Sequence, residues 1–132
     1  MIPSPRHNPQ KARAHYQALD LSSRVEGASP HALVAMLYDE LLGSLDIIAA
    51  AMRRDADITH VHSADRARSI LIALIGSLDH QNGGPLAQTL GAVYRAMIGQ
   101  LAKAVTEHDI NKLHILREGV LDVATAWNAL RA

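Results

Sequence analysis

Residues 29–54 read SPHALVAMLYDELLGSLDIIAAAMRR, and the fold turns on this stretch. Val34, Leu37, Leu41, Leu45, Ile48 and Met52 recur every three or four residues, the period of one face of an α-helix. Ser29 is suited to cap the exposed amides, and Pro30 fits the first helical position. Arg53 and Arg54 bring cations to the far end, where the helix dipole favours them. The stretch therefore predicts one long amphipathic helix.

The rest of the chain repeats the pattern. Asp55 to His62 is polar and reads as a loop, after which Ser63 caps a second predicted helix with Asp65 in its first turn. That helix stops before Asp79-His80-Gln81-Asn82-Gly83-Gly84, a turn signal. Pro85 opens a third helix with the seam Leu86, Leu90, Val93, Met97, Leu101 and Ala104. Glu107-His108-Asp109 interrupts it, and Asp109 caps a fourth helix through Leu113, Leu116, Val120, Val123, Trp127 and Leu130. No period-2 strand pattern occurs. Four such segments on short connections predict an all-α chain, an antiparallel four-helix bundle over residues 28–132. Upstream, Pro3, Pro5 and Pro9 punctuate the first residues, and Ala12, His15, Tyr16 and Leu19 form a weak helical pattern. Residues 1–27 are expected to be a flexible tail that can form a short extra helix, too short to stand alone.

Composition narrows the function. A chain of 132 residues with 48% apolar content is one domain's worth and can bury a core. Thirteen basic and thirteen acidic residues cancel, and three Tyr and one Trp with no Phe are its aromatics. Nucleic acid, which calls for a basic face and stacking platforms, is not an expected partner. The absence of cysteine removes disulfides and thiolate chemistry and suits a reducing compartment. The N-terminus lacks a secretory apolar region, and no segment approaches the ~20 residues of a membrane span. These features predict a cytoplasmic location without membrane insertion.

Catalytic chemistry is hard to find. None of Glu26, Glu40, Glu107 and Glu118 is followed by His at the third position, so the di-iron motif of bundles lacks ligands. His60 and His62 fall in the polar loop without a third ligand of evident spacing, whereas catalytic zinc takes three protein ligands. The remaining histidines read as surface or cap residues. Asp39 and Glu40 adjoin on a helix and point in different directions, which suits a solvated face. No nucleophile elbow, Walker loop or dinucleotide fingerprint is present. The expectation is no enzyme, no metal and no cofactor.

What stands out is surplus apolar surface. Ser69 to Leu78 is apolar at consecutive positions rather than along one stripe. Its inward stripe needs Ala67, Ile70 or Leu71, Leu74 and Leu78, which leaves Ile72 and Ile75 on other sides of the helix. Ile115 and Leu121 are likewise outside the seam of the fourth helix. Either the second helix is buried all round, or the excess is a groove for an amphipathic partner helix. Tyr16 and Leu19 are candidates to cover such a groove when it is empty.

The pieces resemble the FliS family of flagellar secretion chaperones. Matching residues run in order: Tyr16-Gln17, Ala28-Ser29-Pro30, Leu33-Val34, Met36-Leu37-Tyr38-Asp39, Ser77-Leu78-Asp79, Gly83-Gly84, Leu86-Ala87, Leu90, Tyr94, Leu101, Ala104 and Ala126-Trp127. Pro85, Arg95 and Val105 depart from the family pattern, which bears on contact details rather than fold. The resemblance implies a non-catalytic cytoplasmic bundle. It implies binding of the disordered C-terminal region of flagellin, which turns helical as it wraps the bundle, so that early polymerisation is prevented. It further implies delivery to the flagellar type III export apparatus and its gate components. The candidate partner-binding residues are Tyr16, Leu19, Ile72, Ile75, Tyr94 and Ile115. Two rivals remain: a helical adaptor or regulator for a different secreted client, and an enzyme with a histidine metal site. A homodimer hiding the same apolar face is a further alternative.

Overall fold

The computed structural model of the chain describes residues 29–55 and 57–130. Four helices are found there: α1 (Pro30–Arg53), α2 (Asp57–Gly76), α3 (His80–Thr106) and α4 (Ile110–Ala129). The pairs that pack are α1 with α2, α2 with α3, α3 with α4 and α4 with α1. The helices thus close a ring in chain order, with α1 opposite α3 and α2 opposite α4, the four-helix bundle that the periodicity predicts. Residues 1–28, and with them Tyr16 and Leu19, lie outside the described residues.

Local chemistry sets the helix ends. The Ser29 hydroxyl accepts from the Ala32 amide at 3.1 Å, and Pro30 follows in the first turn. One Asp109 carboxylate oxygen accepts from the amides of Asn111 and Lys112, starting α4. At its C-terminus α3 closes with His108 left-handed at φ 51°, the His108 amide on the Val105 carbonyl and the Asp109 amide on the Ala104 carbonyl. That is the Schellman pattern, here without glycine. Asp55 (φ 55°) plays the same part after α1, its amide on the Met52 carbonyl.

Two boundaries differ from the sequence reading. α2 begins at Asp57, so the loop expected over Asp55–His62 shrinks to a tight connection, and His60 and His62 belong to helix backbone. Polarity there does not signal a break, since neither Gly nor Pro interrupts the segment. α3 begins at His80, capped by Asp79, whose carboxylate accepts from both the amide and the side-chain nitrogen of Asn82. The turn read at Gly83-Gly84 survives as a kink: Gly84 sits at φ 52°, ψ −133°, and Pro85 restarts the helix. This backbone region is close to exclusive to glycine. Gly84→Ala should therefore destabilise the bundle by about 1–3 kcal/mol, although a Cβ would meet nothing within 4 Å. Urea unfolding measures it, and an unchanged midpoint would show that the kink relaxes.

The core runs the length of the ring. Leu33, Leu37, Leu41, Leu45 and Ile48 from α1 meet Ile70, Leu71 and Leu74 from α2, with Met97, Leu101, Leu113, Leu116 and Val120 closing the far side. In α3 the buried set is Ala87, Gly91, Tyr94, Met97, Leu101 and Ala104, so the seam is rotated from the one expected. Leu86 is exposed and Leu90 and Val93 are half-buried, whereas Gly91 and Tyr94 face inward. A Cβ on Gly91 would come within 3.3 Å of the Leu78 side chain. That closeness selects the face, and an apolarity count, which favours large residues, does not register it.

Polar contacts tie α1 to both neighbours. Arg66 of α2 donates to Glu40 at 3.2 Å, and Arg117 of α4 donates to Asp46 at 2.6 Å. The bond to Asp46 holds the Arg117 guanidinium above its ordinary pKa, so its charge is permanent. Lys112 of α4 pairs with Glu107, the C-cap of α3, and among the described residues no ion pair crosses from α2 to α3.

Candidate functional site

Ile72 and its neighbours resolve the choice posed by the apolar run. Ala67, Ile70, Leu71, Ala73, Leu74 and Leu78 are buried, while Ile72 stays 41% exposed and Ile75 is half-buried against the core edge. α2 is thus more buried than an edge helix, yet retains apolar surface outside. On α4, Ile115 is 64% exposed between buried Leu113 and Leu116, and Leu121 is exposed as well. A side chain this apolar and this open gains about 1.5–3 kcal/mol when a partner covers it.

The ring order separates the candidates. α2 and α4 are diagonal, so Ile72 and Ile115 point from opposite sides of the bundle. They do not line one groove. A single occupant touches both only by passing around the helices.

Tyr94 requires a correction. It was expected to form a groove wall, but its side chain is 0% exposed, and its hydroxyl lies 2.6 Å from that of Tyr38 on the opposite helix. A phenol inside a core needs a hydrogen-bond partner, and the Tyr38 hydroxyl supplies one across the bundle diagonal. Tyr94 therefore shapes the surface from beneath, with no face of its own outside.

His31, expected as a surface or cap residue, is also more than that. Its ring stacks on Trp127 with centroids 4.8 Å apart and planes 9° from parallel. The indole N–H donates to the His31 carbonyl at 2.9 Å, and His31 Nε2 donates to the Trp127 carbonyl at 2.7 Å. The last turn of α4 is so clasped to the first turn of α1.

Sequence reasoning missed three exposed apolar residues: Ile47 on α1, Leu86 on α3 and Leu130 just past α4. Leu86 and Leu130 were counted in core seams. Their place at helix ends, Leu86 directly after Pro85, was the available signal, since end turns are the first to lose partners.

Among the described residues, no group of three or more His, Cys, Asp or Glu is placed to hold a metal ion. No helix there is long and apolar enough to cross a membrane.

Comparison with known proteins identifies the family. The family model of the flagellar protein FliS matches residues 12–132. A protein of Pseudomonas aeruginosa named flagellar secretion chaperone FliSB is 30% identical over 120 residues, covering 91% of this chain and 95% of its own. The flagellar secretion chaperone FliS of Vibrio cholerae is 27% identical over 115 residues, covering 87% and 85%. That of Salmonella typhimurium is 26% identical over 116 residues, covering 87% and 86%.

Proposed function

The chain belongs to the FliS family of flagellar proteins, and on that footing we propose that it is a flagellin-binding export chaperone. It masks the C-terminal region of flagellin in the cytoplasm, prevents premature polymerisation and hands the subunit to the flagellar type III export apparatus. The observation that carries this reading is the exposed Ile72 and Ile115 on diagonal helices. A compact ligand in one pocket would leave one of them open. A disordered segment that folds as it wraps the bundle covers both, and its ordering cost keeps the complex releasable. Tyr16 and Leu19 are the proposed cover for part of this surface between clients, and deletion of Met1 to Val25 should raise client affinity or expose apolar surface. No step of this function calls for catalysis or a cofactor.

The test uses the purified chain and the C-terminal segment of the same bacterium's flagellin. Ile72→Asp and Ile115→Asp should each weaken binding about tenfold or more while far-UV circular dichroism is unchanged. The double variant should show the product of the two effects, because distant sites on one client act independently. Loss from only one of the two would remove the wrapping geometry. If the wild-type chain captures a different secreted protein and ignores flagellin, the client named here is wrong.

A further inference from the structure

The first turn of α3 carries a chemically labile dipeptide. Asn8 precedes Pro9, Asn111 precedes Lys112 and Asn128 precedes Ala129, so Asn82 is the one asparagine followed by glycine. Asparagine is a thermolabile residue, and its weak point is attack on the side-chain amide by the next backbone nitrogen. At Gly83 no Cβ shields that nitrogen or restricts the backbone. Asn82 is also exposed, so water and base reach it.

The fold holds both reacting groups through a single residue. Asp79 Oδ1 accepts from the Asn82 amide at 3.1 Å, and its Oδ2 accepts from Asn82 Nδ2 at 3.0 Å. The Asp79 carbonyl accepts from the Gly83 amide at 2.7 Å. The Gly83 N–H, which must lose its proton to become a nucleophile, is thus engaged. The Asn82 side chain, which must swing onto that nitrogen, is tied to the Asp79 carboxylate. The turn itself is short: it starts at His80, and Gly84 at φ 52°, ψ −133° breaks it before Pro85 restarts the helix. His80, Gln81 and Asn82 are all exposed. Such a turn opens locally at low free energy, and opening releases both reacting groups together.

We propose that Asn82 is a site of spontaneous deamidation, held back by Asp79 while the turn is closed and reactive when it opens. The Gly83 nitrogen gives up its proton and forms a bond to Asn82 Cγ. The Cγ–Nδ2 bond breaks, and Nδ2 leaves as ammonia with that proton. Water then opens the resulting cyclic imide at either carbonyl. One product is an aspartyl residue, the other an isoaspartyl residue whose main chain runs through the former side chain. No oxidant, metal or enzyme is needed. Both products lose the Nδ2 donor and bring a second carboxylate to that of Asp79. The isoaspartyl form also lengthens the backbone, so the Gly83 bond to Asp79 loses its register. The chain thereby acquires an age mark at the α2–α3 connection, between the buried Leu78 and Ala87.

The test ages the full chain in warm, mildly alkaline buffer beside a synthetic peptide of residues 77–87. Trypsin releases Ser69–Arg95, in which Asn82 is the one asparagine. Mass spectrometry reads the exchange of the amide for a hydroxyl, and chromatography separates the two products. The folded chain should react at least about tenfold more slowly than the peptide. Asp79→Ala, which removes both carboxylate acceptors, should speed the chain's reaction roughly three- to tenfold, the range for losing a helix cap. Asp79→Ser keeps an acceptor for the Asn82 amide but loses the second oxygen, and its rate should fall between. Far-UV circular dichroism checks that the variants are folded, and Asp79→Ser decides alone if Asp79→Ala is not. The proposal is overturned if the peptide is not deamidated at Asn82, or if the folded chain matches the peptide's rate. It is equally overturned if no folded Asp79 variant reacts faster than the wild-type chain.

Discussion

Trp127→Ala is expected to lower the stability of the bundle by about 3–5 kcal/mol, the range for removing a buried large aromatic ring. Trp127 is the chain's one tryptophan and closes the end of the bundle where α1 starts and α4 stops. Its ring lies flat on His31 and presents an edge geometry to Tyr38, with centroids 6.4 Å apart at 71°. Truncation to alanine empties that volume and removes the indole N–H that donates to the His31 carbonyl. Stabilities of such domains are about 5–15 kcal/mol, so this substitution takes a large share.

A companion variant separates ring packing from the reciprocal bond. His31→Ala removes the Nε2 donor to the Trp127 carbonyl but leaves the residue-31 carbonyl to accept from the indole. Its cost should be smaller, about 1–2 kcal/mol. A carbonyl only accepts, so the 2.7 Å contact places a proton on Nε2. Neutral and cationic imidazole can both carry that proton, and the clasp needs no charge. Urea unfolding followed by far-UV circular dichroism measures both variants. A loss under 1 kcal/mol for Trp127→Ala would show that the two helix ends are held by other contacts.

The second large effect lies in the apolar run itself. Leu74→Ala should cost about 2–5 kcal/mol, because Leu74 is fully buried and its cavity cannot fill with water. Ile72→Ala, two residues away, should cost under about 1 kcal/mol, the range of surface substitutions. The contrast matters because the two side chains are chemically alike and share one helix. Comparable losses at both positions would mean that α2 is buried all round, and the surplus surface would disappear. Stability falling at Leu74 and client affinity falling at Ile72 would divide the run into a part that folds the chain and a part held for a partner.

Much of this molecule was legible in residue order. Period, caps and breakers are local properties, so the helices headed by Ser29-Pro30 and Asp109 appear where those residues predict them. The inward set of α2 also followed from its period, as did the outward positions of Ile72 and Ile115. The polar first turn of α2 was misread as a loop, because hydrophilicity alone does not distinguish a loop from a helix without Gly or Pro. Pro85 was recognised as a start, yet the short turn before it was hidden by two glycines.

What the sequence by itself determined is therefore a set of amphipathic helices with more apolar surface than one face of each requires. Only the tertiary structure decided which apolar residues meet. Tyr94 turned inward because Tyr38 on the opposite helix offers its hydroxyl a partner, and His31 became a clasp because the end of α4 arrives beside it. Ile72 and Ile115 went to opposite sides because the ring order sets α2 across from α4. These outcomes depend on pairs far apart in the chain, and a helical period carries no information about which distant partner will stand opposite.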